Sequence, residues 1–160
     1  MKRIYLAGPL FCAAKQAWLR ETKHHIEKAI PDVSVVWPFE LFDQAEIATW
    51  GDAAPRRVME GCRDSLAACD VVVALLDGPQ VDDGTAWEIG FAHAKNIPVI
   101  GIRTDFRRAG DVPGAVVNAM IHGSCTAIVR NVHGLLRELE DWAKELEAAT
   151  TELTAMQAEK

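Results

Sequence analysis

The run "DVVVALLD" at residues 70–77 limits the fold more than any other stretch of this chain. An apolar residue at every position from 71 to 76, rather than every second one, marks a strand covered on both faces, and such strands belong to parallel sheets between layers of helix. The rest of the chain suits that architecture. "RIYLAG" at 3–8 reads as a first strand, and "AAKQAWLRETKHHIEKAI" at 13–30 follows with Trp18, Ile26 and Ile30 at helical intervals. "VSVVW" at 33–37 is a second strand, stopped by Pro38. After a loop rich in aromatics and acids, Pro55 opens a helix expected to reach about Cys69.

Beyond the central run, residues 84–96 read as a helix, "IPVIGI" as a fourth strand and "CTAIVR" as a weaker fifth. From Val132 onward, Leu135, Leu136, Leu139, Trp142 and Leu146 form one apolar helical stripe. It fades past Ala148, so residues 148–160 are expected to fray. Repeated strand-then-helix units imply right-handed crossovers and a doubly wound α/β domain. The expectation is a flavodoxin-like (Rossmann-like) five-stranded parallel sheet with helices on both faces. With 160 residues, 49% of them hydrophobic, the chain reads as one domain, 1–160, that buries its own core. Such sheets bind ligands at the carboxyl ends of their strands, where strand order reverses. Here that directs attention to "GPLF" after strand one and "DGPQVDDGT" after strand three.

Composition removes several function classes. A formal charge of −6, with basic residues in short pairs such as Arg56-Arg57 and Arg107-Arg108, argues against a nucleic-acid partner. No apolar stretch approaches the roughly 20 residues of a membrane span. Cys12, Cys62, Cys69 and Cys125 have no C-x-x-C spacing and no signal peptide is evident, so a cytoplasmic protein with reduced thiols is expected. Neither G-x-G-x-x-G nor G-x-x-x-x-G-K-[ST] occurs, which argues against a dinucleotide. The five histidines form no metal-binding spacing, and no cofactor or metal is expected.

What remains is acidic. Asp77, Asp82, Asp83 and Glu88 fall within twelve residues, from the end of strand three into the next helix. Asp82 or Asp83 suits a helix cap, where a carboxylate meets free N–H groups. Glu88 lies between Trp87 and "IGFAHA", and its side chain points back toward the loop. A glutamate in such apolar company is either salt-bridged or used chemically.

Four segments in the same order, "IYLAGPLF" (4–11), "CDVVVALLDG" (69–78), "DDGTAWEIGFAHA" (82–94) and "NAMI" (118–121), resemble the nucleoside 2-deoxyribosyltransferase family. The resemblance implies that Glu88 is the nucleophile, that Tyr5 lies close to it, and that Asp82 binds the 5′-hydroxyl of the sugar. It implies further that Asn118 and Met120 enter the site of a neighbouring subunit, making the protein a homo-oligomer with shared active sites. Gly8, Phe11, Asp77 and Gly84, in the two loops, are the other substrate-binding candidates. Read without the resemblance, Tyr5 is an ordinary strand residue, Phe11, Trp37 and Phe39 are core candidates, and Asn118 marks a helix end.

Two departures from the family pattern stand out. Where many members carry a further aspartate eight residues before the strand-three aspartate, this chain has Cys62; Asp64, two residues later and about 200° around a helix, is a substrate-binding candidate that replaces it only if the helix is shifted or irregular. Some members end in a carboxylate that enters a neighbour's site, whereas this tail, "TTELTAMQAEK", reads as a charged helix. The expected activity is transfer of 2-deoxyribose between nucleobases, with small-molecule nucleosides and bases as partners. An N-glycosidase that gives the sugar to water, and a nucleoside sensor without turnover, are the alternatives.

Overall fold

The structure is a computed structural model and describes residues 1–158. Five strands, β1 (Lys2–Ala7), β2 (Val33–Val36), β3 (Val71–Leu75), β4 (Val99–Ile102) and β5 (Ala127–Val129), form one sheet in the order β2-β1-β3-β4-β5. Every pairing is parallel, as the flavodoxin-like expectation requires. The order reverses between β1 and β3, and the loops leaving those strands open onto the same end of the sheet.

Alternation along the strands builds two cores. Ile4, Leu6, Val71, Val73 and Leu75 pack under α1 (Ala13–Ala29) and α6 (Val132–Ala158) together with Leu19, Ile26, Leu135 and Leu139. Tyr5, Ala7, Val72 and Ala74 point the other way, toward Leu66 of α3 (Ala54–Ala67) and Ile89 and Ala92 of α4 (Asp83–Ala94). Because successive strand residues face opposite layers, a run apolar at every position feeds both cores at once. All five residues of β3 are buried.

Several boundaries differ from the expectation. The loop after β2 holds a 3-10 turn at Pro38–Glu40 and a short helix, α2 (Gln44–Thr49), whose N-terminus is capped by Asp43 accepting from the Ala45 and Glu46 amides. Helix α3 starts one residue before Pro55, which occupies the first turn, where its missing N–H costs no helical bond. A further short helix, α5 (Ala119–Ser124), precedes β5. Helix α6 is helical through Ala158, past the point where its apolar stripe fades; residues 159–160 lie outside the described residues. Among the described residues, no helix is long and apolar enough to cross a membrane.

Candidate active site

Strand parity decides which side of the sheet carries the site. Tyr5 is fully buried on the α3/α4 face, and its hydroxyl donates to Glu88 Oε1 at 2.6 Å, joining positions 83 residues apart. Glu88 reaches that point because α4 starts sharply. Asp82 is the N-cap, with Oδ2 accepting from the Thr85 amide at 3.1 Å and from Thr85 Oγ1 at 3.2 Å. The cap fixes the first turn, and Glu88 follows on the second, facing β1. Of the two capping candidates, Asp82 performs the task and Asp83 is exposed.

Burial raises Glu88 to a pKa of about 7, from an ordinary value of 4.5; the Tyr5 hydrogen bond opposes that rise and the charge on Asp82 adds to it. Tyr5 moves far upward, through burial first and then the adjacent Glu88 carboxylate, so its phenol stays protonated and remains a donor. Cys62 also shifts upward, again through burial first and then the Glu88 charge, with the Tyr5 hydroxyl opposing the rise. The pair is therefore a carboxylate poised near neutrality and a phenol locked as its donor.

Outside this pair lies a cleft of about 500 Å³. Val58, Met59 and Cys62 of α3 form one wall, with Ile47 of α2 and Pro55 at its outer end; Gly84, Trp87 and Glu88 of α4 form the other. The α2–α3 corner is held by aromatic packing. Trp50 meets the edge of Phe42 at 5.5 Å, and the Arg57 guanidinium lies 5.2 Å over the Trp50 ring. Gly61 makes room for this: a Cβ there would lie 2.3 Å from Phe42 Cζ.

The structure brings Tyr5, Glu88, Gly84 and the Asp82 cap to one place and sends other candidates elsewhere. Asp64 is exposed and paired with Arg63 at 2.8 Å, so Cys62, not Asp64, faces Tyr5 and Glu88; the two-residue offset turns Asp64 out of the site. The Asp77 carboxylate is engaged by the loop after β4, accepting from the Thr104 amide and hydroxyl and from the Asp105 amide. Gly8 packs against Leu19 of α1, where a Cβ would come within 2.9 Å of Cδ2. Phe11, at the loop tip after β1, is 85% exposed. Asn118 caps α5 through the Met120 amide at 3.0 Å and donates to Asp111 at 2.6 Å, while Met120 is 79% exposed. Neither Asn118 nor Met120 lines the cleft of its own chain.

Sequence reading missed the apolar walls. Val58 and Cys62 are four apart on α3 and Ile47 sits on a helix of only six residues, so the signal is a short stripe inside a segment without clear periodicity. Trp87, stacked on Phe91 at 5.4 Å, lines the cleft beside Glu88, a role that its place in the apolar run around Glu88 does not signal. Arg103 is fully buried and ties the loop after β3 to the loop after β4, donating to the carbonyls of Leu76, Gly78 and Arg107.

A flavodoxin-like domain with a part-buried carboxylate–phenol pair beside its topological switch point has the architecture of the doubly wound α/β class, in which that crevice is the usual place for a ligand. The description of the nucleoside 2-deoxyribosyltransferase family matches residues 4–120, and the chain belongs to that family. Among solved structures it is similar to a conserved protein from Enterococcus faecalis V583, with 28% identity, a TM-score of 0.75 and coverage of 88% of this chain and 98% of that one. It is similar also to a 2-deoxyribosyltransferase from Bacillus psychrosaccharolyticus (20% identity, TM-score 0.68, 84% and 90% covered). A third is a CMP N-glycosidase from Clostridium botulinum (19% identity, TM-score 0.56, 87% and 99% covered). At these identities the last two speak to the fold alone. No curated protein sequence matches the chain.

Proposed function

We propose that the protein is a nucleoside 2-deoxyribosyltransferase that moves 2-deoxyribose between nucleobases through a covalent ester on Glu88. One observation carries this reading: the 2.6 Å hydrogen bond from Tyr5 to Glu88 at the inner end of an apolar cleft of about 500 Å³. The bond orients the carboxylate and leaves its second oxygen for attack. In the first half-reaction that oxygen forms a bond to C1′ as the C1′–N bond breaks; the electron pair leaves with the base, which takes up a proton. In the second, a ring nitrogen of the acceptor base attacks C1′, the ester bond breaks to regenerate the Glu88 carboxylate, and the acceptor gives up its proton. Two inversions retain the configuration at C1′.

Water attacking the same ester would make the protein an N-glycosidase, the activity named for one of its neighbours in fold. Incubation with deoxyadenosine and hypoxanthine, followed by chromatography, separates the readings. Deoxyinosine formed together with adenine is the expected result. Free adenine and deoxyribose alone make it a hydrolase, and an unchanged bound nucleoside makes it a sensor.

The pair predicts a pH signature. Glu88 must be ionised to attack, so kcat/KM rises with pH through about 7. Tyr5 stabilises the ionised form, so Tyr5→Phe pushes the Glu88 pKa higher and moves the rising limb upward by about one pH unit or more. Activity at pH 7 falls on the order of tenfold and recovers in part near pH 9. A Tyr5 that served packing alone would leave the midpoint in place and lower the profile uniformly.

The shared site is tested by complementation. Asn118→Ser keeps the α5 cap, since serine also accepts from the first-turn amides, but loses the amide that would reach a neighbour. Glu88→Ala and Asn118→Ser proteins should each be nearly inactive, and after reversible dissociation and mixing they should regain activity through hybrid sites. No recovery despite demonstrated subunit exchange places Asn118 in its own subunit's site or outside the site altogether.

A further inference from the structure

The cleft is unusual for a base site in what it lacks. Among the described residues lining it, Glu88 has the only charged side chain and the only strong side-chain acceptor; the indole N–H of Trp87 is a donor only. Glu88 is committed to Tyr5 and to the sugar carbon, and the Cys62 thiol is a weak donor held near Tyr5. The rest of the surface is aliphatic, aromatic or thioether: Ile47, Pro55, Val58, Met59 and Trp87. Pro55 also lacks the backbone N–H that another residue would present there.

This inference rests on the function proposed above. With C1′ at Glu88, a base extends away from the sugar and its far edge, the one opposite the glycosidic nitrogen, is directed along the apolar walls. A free amino group on that edge donates, and the only strong side-chain acceptor in the lining, Glu88, is already committed, so burying it there is costly. A methyl group at the same place loses nothing and buries apolar surface against Val58, Met59 and Ile47.

We propose that this site selects nucleobases whose far edge carries an alkyl group in place of an amino group, and that Met59 and Val58 set that selectivity. Trp87 contributes stacking that is indifferent to the edge. Discrimination therefore comes from the α2–α3 wall and not from α4.

Adenine and 6-methylpurine differ by an amino group exchanged for a methyl group of similar size. As acceptors for the deoxyribosyl group of deoxyinosine, 6-methylpurine should show a kcat/KM higher by about tenfold or more. Met59→Gln, on the half-exposed rim, keeps the side-chain length and adds an amide; it should reduce the preference to within about threefold. Equal or better use of adenine by an exchanging wild-type protein overturns this inference and leaves the transferase reading intact. If no base is exchanged at all, the transferase reading fails, and the base site is judged by binding to Glu88→Gln, followed through quenching of tryptophan fluorescence. Tighter binding of 6-methylpurine by about tenfold then supports the inference. Equal binding, or none because a second copy of the chain fills the cleft, overturns it.

Discussion

The Glu88→Gln protein should exchange bases more slowly than the wild type by a factor on the order of 10⁴ and yet melt at a higher temperature at pH 8. The loss follows from the chemistry, because an amide forms no glycosyl ester and no other carboxylate lines the cleft among the described residues. The gain follows from burial. With a folded-state pKa of about 7 against an ordinary 4.5, Glu88 keeps its proton in the native state over a range in which the unfolded chain has released it. Raising the pH from about 4.5 through about 7 therefore lowers stability, and the full penalty is present at pH 8. Glutamine keeps the acceptor for Tyr5 without the charge. After discounting for partial exposure, the difference is ~2 kcal/mol, or roughly 5 °C. Melts between pH 4 and pH 9 check it: the advantage should vanish near pH 4. A variant destabilised at every pH would mean that the Glu88 carboxylate is held by ion pairing instead of desolvated.

Deoxyadenosine should be used at least a hundredfold more efficiently than its 5′-monophosphate, because the N-terminus of α4 is guarded by two carboxylates. A helix N-terminus ordinarily attracts phosphate. Here Asp82 already fills it as the cap, accepting from Thr85, and the exposed Asp83 follows directly. An ionised carboxylate accepts a hydrogen bond from a 5′-hydroxyl but offers a phosphate only acceptors and like charge. Arg103 does not offset this, since its guanidinium is buried against backbone carbonyls. Asp82→Ser preserves the cap while removing the charge. It should lose activity on the nucleoside, narrow the gap between the two substrates and move the rising pH limb downward, because the Asp82 charge helps to raise Glu88. Equal or better turnover of the monophosphate by the wild type would overturn the role given to Asp82.

The elements of the sheet were legible because their signals are local. An unbroken apolar run reports a strand buried on both faces, and the Asp-Asp-Gly-Thr start reports a capped helix whatever it packs against. The resemblance then singled out Glu88 and Tyr5 before any geometry was available. Helix α2 and the cleft wall were not legible, because a six-residue helix is too short to show a period and is held through contacts of Phe42, Trp50, Arg57 and Gly61 across two helices. Asp77 illustrates the opposite error. It belongs to the acidic cluster in sequence, but its carboxylate serves the loop after β4, 27 residues away.

The sequence by itself determined the layer architecture, the sheet end from which the loops after β1 and β3 leave, and the capped start of the helix that carries Glu88, since all three depend on period, capping and the end at which a strand finishes. Tertiary structure alone decided which residues meet. Parity along β1 fixes that Tyr5 and Leu6 face opposite layers, but α4 had to pack on the Tyr5 side before the phenol and Glu88 could form a bond. The choice between Cys62 and Asp64 likewise depended on the rotation of α3 about its own axis. That rotation is set by burying Leu66 against the sheet, and a turn of 100° per residue then carries Cys62 into the cleft and Asp64 into solvent.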